Sequence, residues 1–89
     1  MGKYKVFIKP AAVKEIEAIP QKKIRQQIVR RIQDLATDPR PNGFKKLTGH
    51  DRYRIRQGVY RIVYAVEDEK LVVYIVKVGY RKDVYRGAL

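Results

Sequence analysis

The rhythm of apolar and polar residues changes twice along this chain. From Tyr4 to Lys9 it has period two. Tyr4, Val6 and Ile8 alternate with Lys5, Phe7 and Lys9, which predicts a half-buried strand ending at Pro10. The period then lengthens to that of a helix. Val13, Ile16 and Ile19 are spaced by three, predicting a short helix over 11–19, and Pro20 is expected at an early position of the next helix. In that second helix Ile24, Ile28, Ile32 and Leu35 recur at spacings of four, four and three. They make an apolar stripe about four turns long, with Lys22, Lys23, Arg25, Arg30 and Arg31 mostly off it. Thr37-Asp38-Pro39 marks its end.

Residues 40–49 hold Pro41, Asn42, Gly43 and Gly49 with little period and predict a loop. Period two returns in Tyr53-Arg54-Ile55-Arg56-Gln57-Gly58-Val59-Tyr60-Arg61-Ile62-Val63-Tyr64. With Gly58-Val59 as a type II′ turn, Gln57 pairs with Tyr60 and Arg56 lies across from Arg61. Arg54, Arg56 and Arg61 then share one face, while Ile55, Tyr60, Ile62 and Tyr64 share the other. Glu67-Asp68-Glu69-Lys70 is a polar connection to a third strand over 71–78, in a hairpin that pairs Val66 with Leu71. Carried forward, this register turns Ile62, Tyr64, Val66, Leu71, Val73 and Ile75 toward the helices. It leaves Val63, Ala65, Val72, Tyr74 and Val76 on the arginine face, beyond the helices' reach, where the C-terminal segment or a partner protein is expected to cover them. The expected fold is α+β: an N-terminal strand, two amphipathic helices, then a three-strand antiparallel meander, forming one sheet with helices on one face.

Composition narrows this picture. The 89 residues suit one domain, 1–89, near the small end of what buries an adequate core alone. A net charge of +12 implies attraction to a polyanion, with nucleic acid ahead of a membrane surface or an acidic protein. The first residues carry charges through their apolar positions, so no signal-peptide core is read there, no run approaches membrane-spanning length, and a cytoplasmic protein is expected. There is no cysteine and a single histidine, His50, which removes disulfides, thiolate nucleophiles and multi-histidine metal sites.

The candidate chemistry therefore rests on arginine and tyrosine. Each arginine taken singly reads as an ordinary solvated strand residue. As a set, two guanidinium groups directly opposed across a sheet are better explained by an anion that both bind, phosphate first. A second basic cluster, Gly79-Tyr80-Arg81-Lys82-Asp83-Val84-Tyr85-Arg86, follows the last strand. Arginine stays protonated and is suited to stabilising transition-state charge, whereas tyrosine can exchange a proton, helped by neighbouring arginines that favour tyrosinate. Lys45 and Lys46 read as sequence-independent backbone contacts, and His50 as a loop residue.

The runs 53–56, 58–64 and 78–86 resemble the RelE/ParE superfamily of bacterial and archaeal toxins, and the order of elements matches over essentially the whole chain. The basic pair before the turn and the C-terminal Arg and Tyr are similar to the RelE branch, whose members cleave messenger RNA in the ribosomal A site. ParE-type members poison DNA gyrase instead. The resemblance implies a metal-independent endoribonuclease in which the RNA 2′-hydroxyl attacks the adjacent phosphate, leaving a 2′,3′-cyclic phosphate and a 5′-hydroxyl. Tyr85 would assist deprotonation, Arg61 and Arg81 would stabilise the transition state, and Arg54 and Arg56 would hold the substrate or share the acid role. Its implied partners are a cognate RelB-like antitoxin and the ribosome with its mRNA, with no membrane and no cofactor. Tyr80 stands where many relatives carry His or another basic residue, and Arg54 and Arg56 stand where some carry lysines, so the general acid stays unassigned. A C-terminal helix found in some relatives is not expected. The alternatives are a ParE-like gyrase-binding toxin without RNase activity and a non-catalytic RNA-binding module.

Overall fold

The computed structural model describes residues 3–47 and 51–80. In chain order the elements are β1 (Lys5–Ile8), α1 (Pro10–Glu17), α2 (Lys22–Asp34), β2 (Lys45–Lys46), β3 (Tyr53–Gln57), β4 (Tyr60–Glu67) and β5 (Val72–Tyr80). Pro10 opens α1, where its fixed φ fits and its missing N–H is not needed. Pro20 does not open α2 as expected. It lies in the linker before the N-cap Gln21, and Arg25 holds that linker by donating to the carbonyls of Ile19 and Pro20. Arginine in the first turn thus satisfies linker acceptors, without a side-chain cap on either helix.

The strands form one sheet in the order β1-β5-β4-β3-β2, with β1 parallel to β5 and the other pairs antiparallel. Ala12, Ile16 and Ile19 from the first helical segment and Ile28, Ile32 and Leu35 from the second pack on Ile55, Ile62, Tyr64, Val73, Ile75 and Val78. The helices therefore cover one face, as the apolar stripe requires. The expected loop at 40–49 contains a short strand, β2, whose Lys45 pairs with Arg54 and Lys46 with Tyr53. Two consecutive lysines carry no apolar alternation, so the sequence signal for a strand is missing there.

The β4–β5 register differs from expectation in two ways. Val66 pairs with Val73, and Glu67 with Val72, so Val66 does not pair with Leu71. Leu71 instead closes the turn in the left-handed region at φ 55, exposed rather than turned into the core. The carbonyl that this conformation presents accepts the Lys5 N–H at 2.8 Å and starts the pairing with β1. Further along, a bulge between Val63 and Tyr64 adds one residue to β5: Tyr64 pairs with Ile75 but Val63 with Lys77. An unbroken ladder would have set Lys77 beside Ile62 in the core. The extra residue puts Val78 there instead and shifts Gly79 across from Arg61.

Two polar devices complete the frame. β1 pairs with β5 only as far as Ile75, and beyond it Glu15 of α1 takes over the open edge. One of its carboxylate oxygens accepts the Val78 N–H at 3.0 Å, and the other receives Lys77 Nζ at 2.8 Å. At the opposite end of the strands, Asp68 accepts from Tyr4 Oη at 2.8 Å and from both terminal nitrogens of Arg40, whose guanidinium also lies 5.3 Å from the centre of the Tyr53 ring. This ties the segment after α2 to the β4–β5 turn. The buried Tyr64 Oη adds a bond to the Pro39 carbonyl at 2.7 Å, and burial keeps that phenol protonated well above its ordinary range. No helix among the described residues is long and apolar enough to cross a membrane.

Tyr64→Phe deletes one donor and leaves a buried carbonyl unpaired, so a loss of about 1–1.5 kcal/mol is expected in urea unfolding, with the fold retained. The pH dependence of stability should centre on Asp68. Hydrogen bonds from Arg40 and then Tyr4 hold its carboxyl below the usual range, so its contribution is present above the unfolded carboxylate pKa and is lost as pH falls through the folded one. Thermal melts from pH 7 downward should therefore show a steeper acid limb for the wild type than for Asp68→Asn. Because the pair is solvent-exposed, the difference should shrink in high salt.

Candidate nucleic-acid interface

Gly58 has φ 61 and Val59 is not in the left-handed region, the combination that a type II′ turn requires. The pairing is as expected: Gln57 with Tyr60, Arg56 with Arg61, Ile55 with Ile62 and Arg54 with Val63. In a two-residue hairpin the residues flanking the turn exchange hydrogen bonds, and the next pair does not. That brings the Arg56 and Arg61 Cα atoms to about 4.5 Å and their side chains close together. Across the sheet from Arg61 on its other side stands Gly79, which has no side chain. The Arg56–Arg61 pair thus has a glycine, and no β5 side chain, as its next neighbour in the sheet.

A second row runs parallel to the first. Lys45, Arg54, Val63 and Lys77 are successive partners across β2, β3, β4 and β5. Lys77 is drawn off by Glu15 over the sheet edge, which leaves Lys45 and Arg54 as the cations at the β2 side. Here burial departs from expectation. Arg54 and Arg61 are not solvated strand residues, being only 7% and 8% exposed, whereas Arg56 is exposed. Val63 is buried as well, while Ala65, Val72, Tyr74 and Val76 remain half-buried, so the uncovered apolar area is smaller than the alternation implies. The C-terminal segment expected as one cover lies outside the described residues.

The sheet separates the two lysines of β2. Lys45 joins the arginines, whereas Lys46 pairs with Tyr53 and belongs to the opposite face. Lys45, Arg54 and Arg56 line a cavity of about 310 Å³ together with Gly43 and Arg31 of α2. Arg31 was missed by the sequence reading, because an arginine off the apolar stripe looks like any other solvated helix cation. Tyr53, Tyr60 and Tyr64 are strand and core residues. Tyr60 and Tyr80 lie with ring centres 5.0 Å apart, and burial, then the neighbouring Tyr80, raises the Tyr60 phenol above its ordinary range. Arg81, Tyr85 and His50 lie outside the described residues. Among the described residues no group of three or more His, Cys, Asp or Glu side chains is placed to hold a metal ion.

A family model described as "ParE toxin of type II toxin-antitoxin system, parDE" matches residues 6–85. The chain belongs to this toxin family. Among individual relatives, it is 36% identical over 70 residues to the mRNA interferase toxin RelE of Escherichia coli K12, covering 74% of each chain. It is also similar to the RelE–RelB complex of Pyrococcus horikoshii OT3, with a TM-score of 0.80 and 30% identity over 92% of this chain and 99% of that one. The RelBE2 toxin–antitoxin complex of Mycobacterium tuberculosis gives a TM-score of 0.78 and 28% identity over 93% and 97% of the two chains. The fold and its toxin family are thus fixed.

Removing a charge from this face should cost binding rather than stability. Arg56 is exposed and faces a like charge, so Arg56→Ala should leave the melting temperature unchanged or slightly raised. The same variant should lower the salt slope of binding to single-stranded RNA by about 0.7 for each phosphate that is no longer neutralised. A filter-binding series from 50 to 300 mM salt reads it.

Proposed function

We propose that this chain is a toxin of RelE type: a ribosome-dependent, metal-independent endoribonuclease that cleaves mRNA in the A site and is held inactive by a RelB-like antitoxin. The observation that carries the reading is the Arg56–Arg61 pair beside Gly79, in a chain whose named relatives include an mRNA interferase. Two opposed guanidinium groups suit a phosphate whose negative charge grows during the reaction. Arg61, withdrawn from water, acts on that charge more strongly than a solvated arginine would.

In the proposed reaction the 2′-hydroxyl oxygen attacks the neighbouring phosphorus, and the bond from phosphorus to the 5′-oxygen breaks. Tyr85 takes the 2′-hydroxyl proton, and a proton is delivered to the departing 5′-oxygen, so the products are a 2′,3′-cyclic phosphate and a 5′-hydroxyl. Arg61 and Arg81 stabilise the charged phosphorus centre. Arg54, Arg56 and Lys45 hold the backbone, and Lys46, on the other face, serves at most as a general contact. An acidic, amphipathic antitoxin segment fits the +12 charge and the half-buried Val72, Tyr74 and Val76. The solved RelE–RelB complex of Pyrococcus horikoshii supports a partner of this type. The ParE-like alternative, a gyrase-binding toxin without RNase activity, is not favoured, because named relatives matched in sequence are RelE proteins.

Expression in a translation extract followed by mapping of mRNA 5′ ends tests the proposal. Cuts confined to ribosome-occupied codons are expected, whereas intact mRNA with gyrase-linked DNA breaks overturns it. Tyr85→Phe keeps the ring and deletes the hydroxyl, so the single-turnover rate should fall roughly 10²–10⁴-fold with ribosome binding intact. For Arg61, burial makes the alanine variant a risk to the fold. Arg61→Lys keeps the charge but loses the two-pronged donor, and should slow cleavage at least about tenfold while far-ultraviolet circular dichroism is unchanged.

A further inference from the structure

We infer that Arg31, Lys45, Arg54 and Arg56 form one binding site for a backbone phosphate of messenger RNA, adjacent to the phosphate that is cleaved, with Arg31 as a positioning residue. This rests on the proposed mRNA-cleaving function and extends it to a residue and a subsite that the sequence did not reveal. The four side chains come from α2, β2 and β3, and among the described residues they line a single cavity of about 310 Å³ with only Gly43 besides. That is roughly ten times the share of one water in the liquid, ample for a hydrated phosphodiester. Among the described residues no carboxylate lines it.

The electrostatics call for an anion. Among the described residues the ion pairs are Arg40–Asp68, Lys70–Glu67 and Lys77–Glu15, so none of the four cations is neutralised by a carboxylate there. Arg54 is the decisive one. The residue is only 7% exposed and lines the cavity, and a largely buried cation with no carboxylate against it among the described residues favours a ligand that supplies the charge. Gly43, at φ 89, brings the preceding loop to the cavity wall as bare backbone, with nothing within 4 Å of where a side chain would begin.

Position identifies the anion. Arg56 lines the cavity and is also the cross-strand partner of Arg61, so the cavity adjoins the proposed cleavage centre one strand away. A single-stranded RNA held at Arg61 presents its next phosphate within reach of such a neighbour. A carboxylate from an acidic protein has no matching requirement to sit beside Arg61.

The test uses ribosomes programmed with mRNAs that carry one neutral methylphosphonate, placed in turn at each linkage around the cleavage site, and a 2′-deoxy nucleotide to block cleavage where binding is read. Arg31→Gln should weaken binding, and raise KM with kcat unchanged, by about tenfold. Arg31→Lys should restore most of it. A methylphosphonate at the linkage flanking the scissile one should weaken wild-type binding similarly, and Arg31→Gln should then cause no further loss. Wild-type behaviour of folded Arg31→Gln overturns the inference. So do losses that simply add at every linkage, which would assign the cavity to ribosomal RNA or to an acidic partner. Because binding is read on uncleavable mRNA, a wild type that binds with this coupling but never cuts counts against the nuclease reading alone. A wild type that cuts without the coupling counts against the subsite alone.

Discussion

Side-chain register across the Gly58-Val59 turn is the constraint from which both sides of this molecule follow. Along a strand, successive residues face opposite ways, so a slip of one position would place Arg54, Arg56 and Arg61 under the helices and expose Ile55, Ile62 and Tyr64. The positive φ of Gly58 selects a two-residue turn and with it the pairing of Arg56 with Arg61. The helices enforce the same choice from behind, since Ile28, Ile32 and Leu35 need an apolar surface to pack on. Core and cationic face are therefore one arrangement seen from two sides. The core holds the register, and the register keeps the like charges together despite their repulsion.

What happens at the sheet's edges decides how that face is framed. The bulge opposite Val63 and Tyr64 returns Val78 to the core, sends Lys77 toward Glu15, and gives Arg61 a glycine neighbour where an unbroken ladder would have given Val78. One inserted residue thus protects the core and sets a glycine beside Arg61. Glu15 does comparable double duty. It satisfies the backbone of β5 where β1 has ended, which blunts an open edge, and it withdraws one lysine from the cationic row. The Arg40–Asp68–Tyr4 clasp secures the segment after α2 to the turn between β4 and β5.

The cationic face also carries an electrostatic tension. Positive charges at Lys45, Arg54, Arg56 and Arg61 occupy neighbouring register positions, and two of the arginines are largely buried. Such a concentration opposes folding and favours whatever anion binds there, so affinity for a phosphate backbone is built in at some expense to intrinsic stability. A binding partner of either kind, nucleic acid or an acidic protein chain, would relieve the same tension.

Much of this could be read from the residues in order. Period-two and period-3.6 patterns located β1, both helices and the three meander strands, and the glycine after Gln57 set the hairpin pairing without reference to anything distant. Those signals are local, because each depends on a few neighbouring residues. The errors lie where a distant element decides. Lys45-Lys46 has no strand pattern and becomes one only by pairing with β3. The bulge answers to the helix layer, which claims Val78, and to Glu15, sixty-two residues before its partner Lys77. Leu71 adopts its left-handed turn where β1 comes to pair with its carbonyl. For the site, sequence alone grouped Arg54, Arg56 and Arg61 on one face, since alternation suffices for that. The burial of Arg54 and Arg61, the departure of Lys46 to the other face and the arrival of Arg31 were decided by tertiary structure. Burial and convergence depend on which elements meet in space, and no local spacing encodes that.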